Sequence, residues 1–345
     1  MPSSPRFVTA VAALGGTALV LAGCASPAAQ GDTDPAAETR ATVVVENAKP
    51  TLTLVEEGGE SSYQEDREVA RDAVEVPANP ASVVTFDIAT LDTLDAIGAG
   101  DAVVGIPDVP LPDYLSGYAD LPKVGTLFEP DFEAVAELDP ELIVTAARST
   151  GQFEKLSEIS TTIDLTGAYA GTFDPSSGLE RAAQLGEIFG REDEVEALTA
   201  EIESLEDTLR DEADGTALVL SVSGGEYGAF GEGSRFGYFY DELGWTPAVT
   251  AAELPGAEGS PHGDTVTNEF LLTANPEWIF AFDRGAATGE GSTAEETLDN
   301  ELVAETSAAQ NDHIVYLPAS ELYIVINGLT AIQNVLTSVH EAAGA

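Results

Sequence analysis

"LERAAQLGEIFGREDEVEALTAEIESLEDTLRDEADG", residues 179–215, decides the fold. Apolar residues recur at helical spacing on both sides of Gly190. The spacing predicts one helix up to the glycine and a second over about 192–212. A helix of about 20 residues spans ~30 Å, about the width of a small domain. On either side the pattern changes. Short β-branched runs at 83–86, 103–106 and 143–146 precede it, and runs at 217–222, 278–282 and 314–317 follow. "ATLDTLDAIGA", "FGYFYDELG" and "NEFLLTA" read as helices among those strands, and "LTAIQNVLTSVHEAAG" as a final helix packed on the second set. Strands alternating with helices predict α/β layers with mostly parallel sheets. The expected body is two α/β lobes, 61–190 and 215–345, joined by a single long helix at 191–214.

The N-terminus reads differently. Residues 1–23 carry one charge, Arg6, then an apolar stretch ending in Leu21-Ala22-Gly23 before Cys24. This is the pattern of a signal peptide with small residues before the cut. The Gly15-Gly16 pair and the short length disfavour a spanning helix. Cys24 is the only cysteine, so no disulfide forms within one chain. Residues 24–60 begin rich in Pro, Ala, Gly and polar residues, the composition of a flexible tether. Within them "ATVVVENAK" and "TLTLVEEGG" suggest a short hairpin.

The chain has 61 Asp+Glu against 13 Lys+Arg, a formal net charge of -48. Nucleic acid is excluded as a partner, because phosphate binding needs clustered cations. Against that background two segments align without gaps at an offset of 136, "DFEAVAELDPELIVTAARS" (131–149) and "TNEFLLTANPEWIFAFDRG" (267–285). Glu133 matches Glu269, Pro140 matches Pro276, Glu141 matches Glu277, Ile143 matches Ile279 and Arg148 matches Arg284. Each copy reads as a helix stopped by proline and followed by a buried strand. The first Glu of each pair sits in the helix's first turn, where it favours the dipole. Each Arg follows a strand's C-terminal end, where open α/β sheets bind ligands.

The arginines are scarce. Over residues 220–345 the only basic residues are Arg235, in "GSRFG", and Arg284, in "DRGA". If the lobes face each other, the cleft gains converging cations, and the matching guest is an anion with several oxygens. An ordinary ion pair between Arg284 and Asp283 is the competing reading.

"VVTFDIATLDTLDAIGA", "LPDYL", "GTLFEPDFEAV", "GSRFG", "TNEFLL", "FDRGAA", "ETSAAQNDHIVYL" and "NGLTAI", spread over about 70–345, resemble the ferric-siderophore branch of ABC-importer substrate-binding lipoproteins. The similarity is to the petrobactin-type and catecholate receptors. The resemblance implies a class III periplasmic-binding-protein-like fold and Cys24 as the lipidated N-terminus of an extracytoplasmic, membrane-anchored monomer. It implies Arg148, Arg235 and Arg284 around an anionic ferric chelate, with His262 and Tyr323 as residues able to complete iron coordination. The loop around Tyr323 is one residue shorter and less aromatic than in the relatives. Glu133 and Glu269 match the acidic residues that meet the permease dimer, which works with its ATPase. No intrinsic cofactor is implied; the ferric siderophore is cargo. Haem and cobalamin receptors share the architecture and stand as the alternative. His313 and His340 read as structural or surface residues.

An enzyme finds no support in the motifs. The sequence has no phosphate-cradling Gly loop with Lys, no nucleophile elbow and no His-Glu-x-x-His.

Overall fold

Part of the segment expected as a tether, 24–60, belongs to the folded body. The computed structural model describes residues 41–49, 52–57, 60–65, 70–167, 171–256, 262–288 and 293–344. The signal segment, Cys24 and the residues up to 40 lie outside these. Strand β1 (Thr42–Lys49) is followed by β2 (Leu52–Glu57), β3 (Glu60–Glu65) and β4 (Ala70–Pro77). The expected hairpin of β1 with β2 is not formed. β1 pairs antiparallel with β4 and β2 with β3. Matching alternation explains the choice, because Val43 and Val45 face Val76 and Val74 across the ladder. Val45 and Val76 are buried, and the Glu46 N–H donates to Gln184 Oε1 at 3.0 Å. The first lobe therefore starts at β1.

Its central sheet contains β5 (Val83–Thr85), β6 (Val103–Gly105), β7 (Leu142–Thr145) and β8 (Thr162–Asp164), in the order β6-β5-β7-β8. All are parallel. The second sheet contains β9 (Thr216–Ser223), β10 (Glu226–Phe230), β11 (Thr246–Pro247), β12 (Asp264–Val266), β13 (Trp278–Asp283) and β14 (Ile314–Leu317). Its order is β12-β10-β9-β13-β14, with β11 beside β9. β9, β11, β13 and β14 are parallel, whereas β10 and β12 run antiparallel to their neighbours. The antiparallel pair was not foreseen. Its signal is Gly224-Gly225, both at positive φ (61° and 82°), a two-residue turn that glycine adopts without strain.

Between the lobes, Asp174 caps the helix Pro175–Phe189, and Gly190 ends it at φ 61°. The joining helix Glu192–Glu212 follows, with Glu192, Asp193 and Glu194 in its first turn and Arg210 in its last, each matching the dipole. Only Val195, Ile202 and Leu209 are fully buried, one every seven residues, so a single narrow stripe holds it to the body.

The helix Leu329–Ala343 is not confined to the second lobe, as its sequence suggested. It packs on the joining helix, on β14, and on the first-lobe helices Ile88–Ala96 and Pro175–Phe189. The cause is polar. Asp92, fully buried on the helix Ile88–Ala96, accepts the Thr330 N–H at 2.9 Å, the Ala331 N–H at 3.2 Å and the Tyr114 hydroxyl at 2.6 Å. A Cβ on Gly328 would lie 2.4 Å from Asp92 Oδ1, so only glycine admits this approach. Burial pushes the Asp92 carboxyl up to about 7 against the pull of those three donors. Beside it, Asn327 accepts the Asp174 N–H at 2.8 Å and donates to Thr172 O at 2.7 Å. Arg181 donates to Asn327 O at 3.4 Å and to Leu165 O at 3.2 Å. Asp92, Tyr114 and Asn327 come from three of the quoted motifs, and they meet in one seam between the lobes.

Candidate functional site

The two aligned segments are built alike. Asp131 caps the helix Phe132–Glu137, and Thr267 caps Asn268–Ala274. Each helix is followed by a left-handed residue, Asp139 (φ 46°) and Asn275 (φ 45°), and then by the matched proline. Glu141 Oε2 accepts the Ala81 N–H at 2.7 Å, just before β5. Glu277 Oε2 accepts the Thr216 N–H at 2.8 Å, at the start of β9. In both copies the Glu backbone N–H also binds the carbonyl beside that strand start, on Ser82 and Thr216, at 2.9 Å. The matched Glu-Pro pair thus aligns the arginine-bearing strand with its parallel neighbour.

Beyond the strand the copies diverge. In the first lobe all four residues of β7 are buried. The chain then passes Ala147 at φ 46°, a conformation costing an alanine roughly 1–2 kcal/mol. Arg148 follows in the short 3-10 helix Ala147–Gln152. Its Nη2 donates to Tyr323 O at 2.6 Å and its Nη1 to Ile324 O at 3.4 Å. These bonds use two of its five N–H donors. Burial lowers the Arg148 pKa, while Tyr323 and Asp87 act to raise it.

In the second lobe, buried aromatic rings set the arginines. Phe236 lies between Phe230 and Phe282, with both ring centroids at 4.8 Å. Each such ring contributes roughly 1.5–3 kcal/mol by burial. Arg235 precedes Phe236, and Arg284 begins the short helix Arg284–Thr288 two residues after Phe282. The Arg235 carbonyl accepts the Phe173 N–H at 2.9 Å, tying this turn to the first lobe's last connection. Asp283 Oδ2 accepts the Ala294 N–H at 3.0 Å.

Tyr323 is the common neighbour. The Arg148 guanidinium carbon lies 5.8 Å from its ring centroid and that of Arg235 lies 5.5 Å away. Its backbone is unusual as well. Residues Glu321–Val325 make one π-helical turn, closed by the Ile326 N–H on Glu321 O at 2.7 Å. Ile326 sits at φ 62°, an outlier for a β-branched side chain. Single π turns and strained residues gather at working sites. His262 completes the group. Burial, then Arg284, then Arg235 lower its pKa from the usual histidine range. At neutral pH it is an uncharged imidazole with one nitrogen able to accept or ligate. Arg148 and Arg235 thus meet at the Tyr323 ring, and the charges of Arg284 and Arg235 reach His262.

Glu133 and Glu269 are exposed in the first turns of their helices. The Glu269 backbone N–H and Thr267 hold the Glu269 carboxyl below the ordinary glutamate value. His313 stacks on Trp278, with ring centroids 3.8 Å apart, and His340 bonds Glu212 at 2.8 Å. Both are structural contacts. Sequence reasoning did not find the polar supports of the site, Asp164, Thr150 and Thr166 behind Arg148. These lie in ordinary strand and turn positions, and only their burial sets them apart.

The chain is 36% identical over 279 residues to the petrobactin-binding protein YclQ of Bacillus subtilis, covering 79% of this chain and 85% of that protein. A TroA-like periplasmic binding protein from Xylanimonas cellulosilytica superposes with a TM-score of 0.73 at 34% identity, over 88% of this chain and 100% of that one. The catecholate-siderophore binding protein VctP of Vibrio cholerae superposes with a TM-score of 0.70 at 28% identity, over 78% and 96% of the two chains. The family description "periplasmic binding protein" matches residues 83–321, from β5 to the start of the turn that carries Tyr323. With its two α/β lobes, single joining helix and converging basic site, this chain belongs to the periplasmic binding protein family.

Proposed function

We propose that this chain captures a ferric siderophore of catecholate type outside the cytoplasm and passes it to an ABC permease. The observation that carries the reading is the meeting of Arg148 and Arg235 at the Tyr323 ring, with the charges of Arg284 and Arg235 acting on His262, in a protein of net charge -48. Deprotonated catechols wrap Fe(III) in oxygens and leave the complex anionic. Guanidinium groups donate forked, charge-assisted bonds to such oxygens, each worth roughly 1.5–3 kcal/mol. The name of VctP, a catecholate-siderophore binding protein, points to the same ligand class, and YclQ is named for binding petrobactin. A neutral imidazole at His262 and the Tyr323 phenol are donors suited to iron when the chelator leaves a position open.

In this reading Cys24 carries the lipid that holds the monomer at the membrane. Glu133 and Glu269, one per lobe, meet paired cations on the permease dimer, whose ATPase drives release into the cell. The joining helix allows only small lobe movements.

Fluorescence titration with ferric catecholates, ferric hydroxamates and haem tests the ligand. Saturable quenching by ferric catecholates is expected. A haem Soret shift without catecholate quenching would replace the reading with a haem receptor. For delivery, Glu133→Arg with Glu269→Arg should abolish iron uptake by cells and leave chelate affinity intact. Normal uptake by that double variant rejects the docking role.

A further inference from the structure

Asp164 is a buried carboxylate at the end of β8, and nothing in the ligand reading uses it. It accepts the Thr145 hydroxyl at 2.7 Å, the Thr150 hydroxyl, and the Thr166 N–H at 2.9 Å. Its own N–H donates to Asn47 Oδ1 on β1 at 2.6 Å. The hydroxyls form a chain with one possible direction. The single proton of Thr150 goes to Asp164, so in the 3.0 Å contact between Thr150 and Thr166 the donor is Thr166. Thr166 Oγ1 then accepts the Ala147 N–H at 2.8 Å. Every bond from Ala147 onward points toward the carboxylate. Ala147 is the residue held at φ 46° immediately before Arg148. Neighbouring bonds brace the same turn, with Ser149 Oγ accepting the Ala146 N–H at 3.1 Å.

We propose that Asp164 is a positioning residue for Arg148, acting through Thr150 and Thr166 to hold the left-handed turn at Ala147 that aims the guanidinium between the lobes. Burial raises the Asp164 pKa, outweighing the hydroxyl and N–H donors that lower it, while the geometry makes acceptors of both carboxyl oxygens, Oδ2 for the two hydroxyls and Oδ1 for the Thr166 N–H. An amide of the same shape cannot serve. Asparagine presents two N–H donors where the site offers either two hydroxyl protons or one backbone N–H. One side of the cluster then meets donor against donor, and the Thr150–Thr166 contact that orients the acceptor of the Ala147 N–H loses its fixed direction.

The inference rests on Arg148 being a ligand contact, so its test has one arm with ligand and one without. With ligand, ferric catecholate affinity is measured for the wild type, Asp164→Asn, Arg148→Ala and the double variant. Asp164→Asn should weaken binding roughly tenfold alone, the cost of about one charge-assisted bond. In the Arg148→Ala background it should change affinity by less than about twofold. Equal losses in both backgrounds overturn the proposal, because a merely structural role acts whether or not Arg148 is present. Without ligand, the Arg148 Nε–H resonance is followed by NMR, assigned by its disappearance in Arg148→Ala. In Asp164→Asn it should move toward the position of free arginine, and an unmoved resonance overturns the proposal. A wild type that ignores ferric catecholates would sink the ligand reading and leave positioning to be judged by the NMR arm. Should Asp164→Asn fail to fold, Thr166→Val removes the acceptor for the Ala147 N–H, and the same two outcomes decide.

Discussion

The aligned segments 131–149 and 267–285 share a frame and differ at the tip. In both, a capped helix, a left-handed residue, a proline and a glutamate bonded to the neighbouring strand deliver an arginine to the end of a buried strand. In the first lobe the arginine stands on a strained turn and is bonded across to the second lobe's Tyr323 and Ile324 carbonyls. In the second it opens a short helix after an aromatic cluster and lies near His262. The frame is a folding device, and the tip is where the lobes are specialised. Arg148 links the lobes through the Tyr323 and Ile324 carbonyls, and in the proposed function both arginines face the ligand.

The largest test of that contrast is chelate affinity. Arg284→Ala should weaken ferric catecholate binding by about 10- to 100-fold, the loss of one charge-assisted contact. Arg148→Ala should weaken binding comparably and also lower the thermal midpoint, because two inter-lobe hydrogen bonds go with it. Titration and melting curves on the two variants check this. Equal melting curves would mean that the two tips are not different in kind.

The shared frame makes a second, smaller test. Glu141→Ala and Glu277→Ala each remove an acceptor from a backbone N–H at a strand start, so each should cost about 1–3 kcal/mol. Urea denaturation measures both, and a cost confined to one copy would break the equivalence.

A last test concerns the seam and its pH dependence. The native state raises the Asp92 carboxyl from the ordinary 3.8 to about 7, so folding takes up a proton between those values. The contribution is complete below about pH 4 and is lost progressively as pH rises to 7, by about 4 kcal/mol. Asp92→Asn should flatten that slope between about pH 4 and pH 7 relative to the wild type, read from denaturation midpoints at each pH. An unchanged slope would show that the carboxylate is satisfied by its three donors whatever its charge.

Much of this was legible in the sequence because it rests on local rules. Periodicity around Gly190 predicts the joining helix, and the scarcity of cations in an acidic chain draws attention to Arg235 and Arg284. The repeat exposes Arg148. The pairing of β1 with β4 was not legible, because the run at 52–55 also offers alternating apolar residues to β1. Nor was the seam. Asp92 sits in a helix whose sequence asks for a solvent-facing carboxylate, and two of its three partners are more than 230 positions away. Asp164 was hidden for the same reason, since a threonine-rich strand end looks the same whether or not its hydroxyls are aligned. The motifs that resembled a family nonetheless carried the seam residues, although no physical role could be read into them beforehand.

The contact between Asp92 and Thr330 spans 238 positions. Made from N- to C-terminus, the chain must deliver nearly all of both lobes before this clasp can close, and the ordering entropy of so long a loop falls due at the end. Each sheet can assemble on its own schedule, yet the relative alignment of the three arginines is fixed only at the final docking event. Affinity for cargo is therefore a late-acquired property of folding here, and a chain stopped short of residue 329 would hold two half-sites and no receptor.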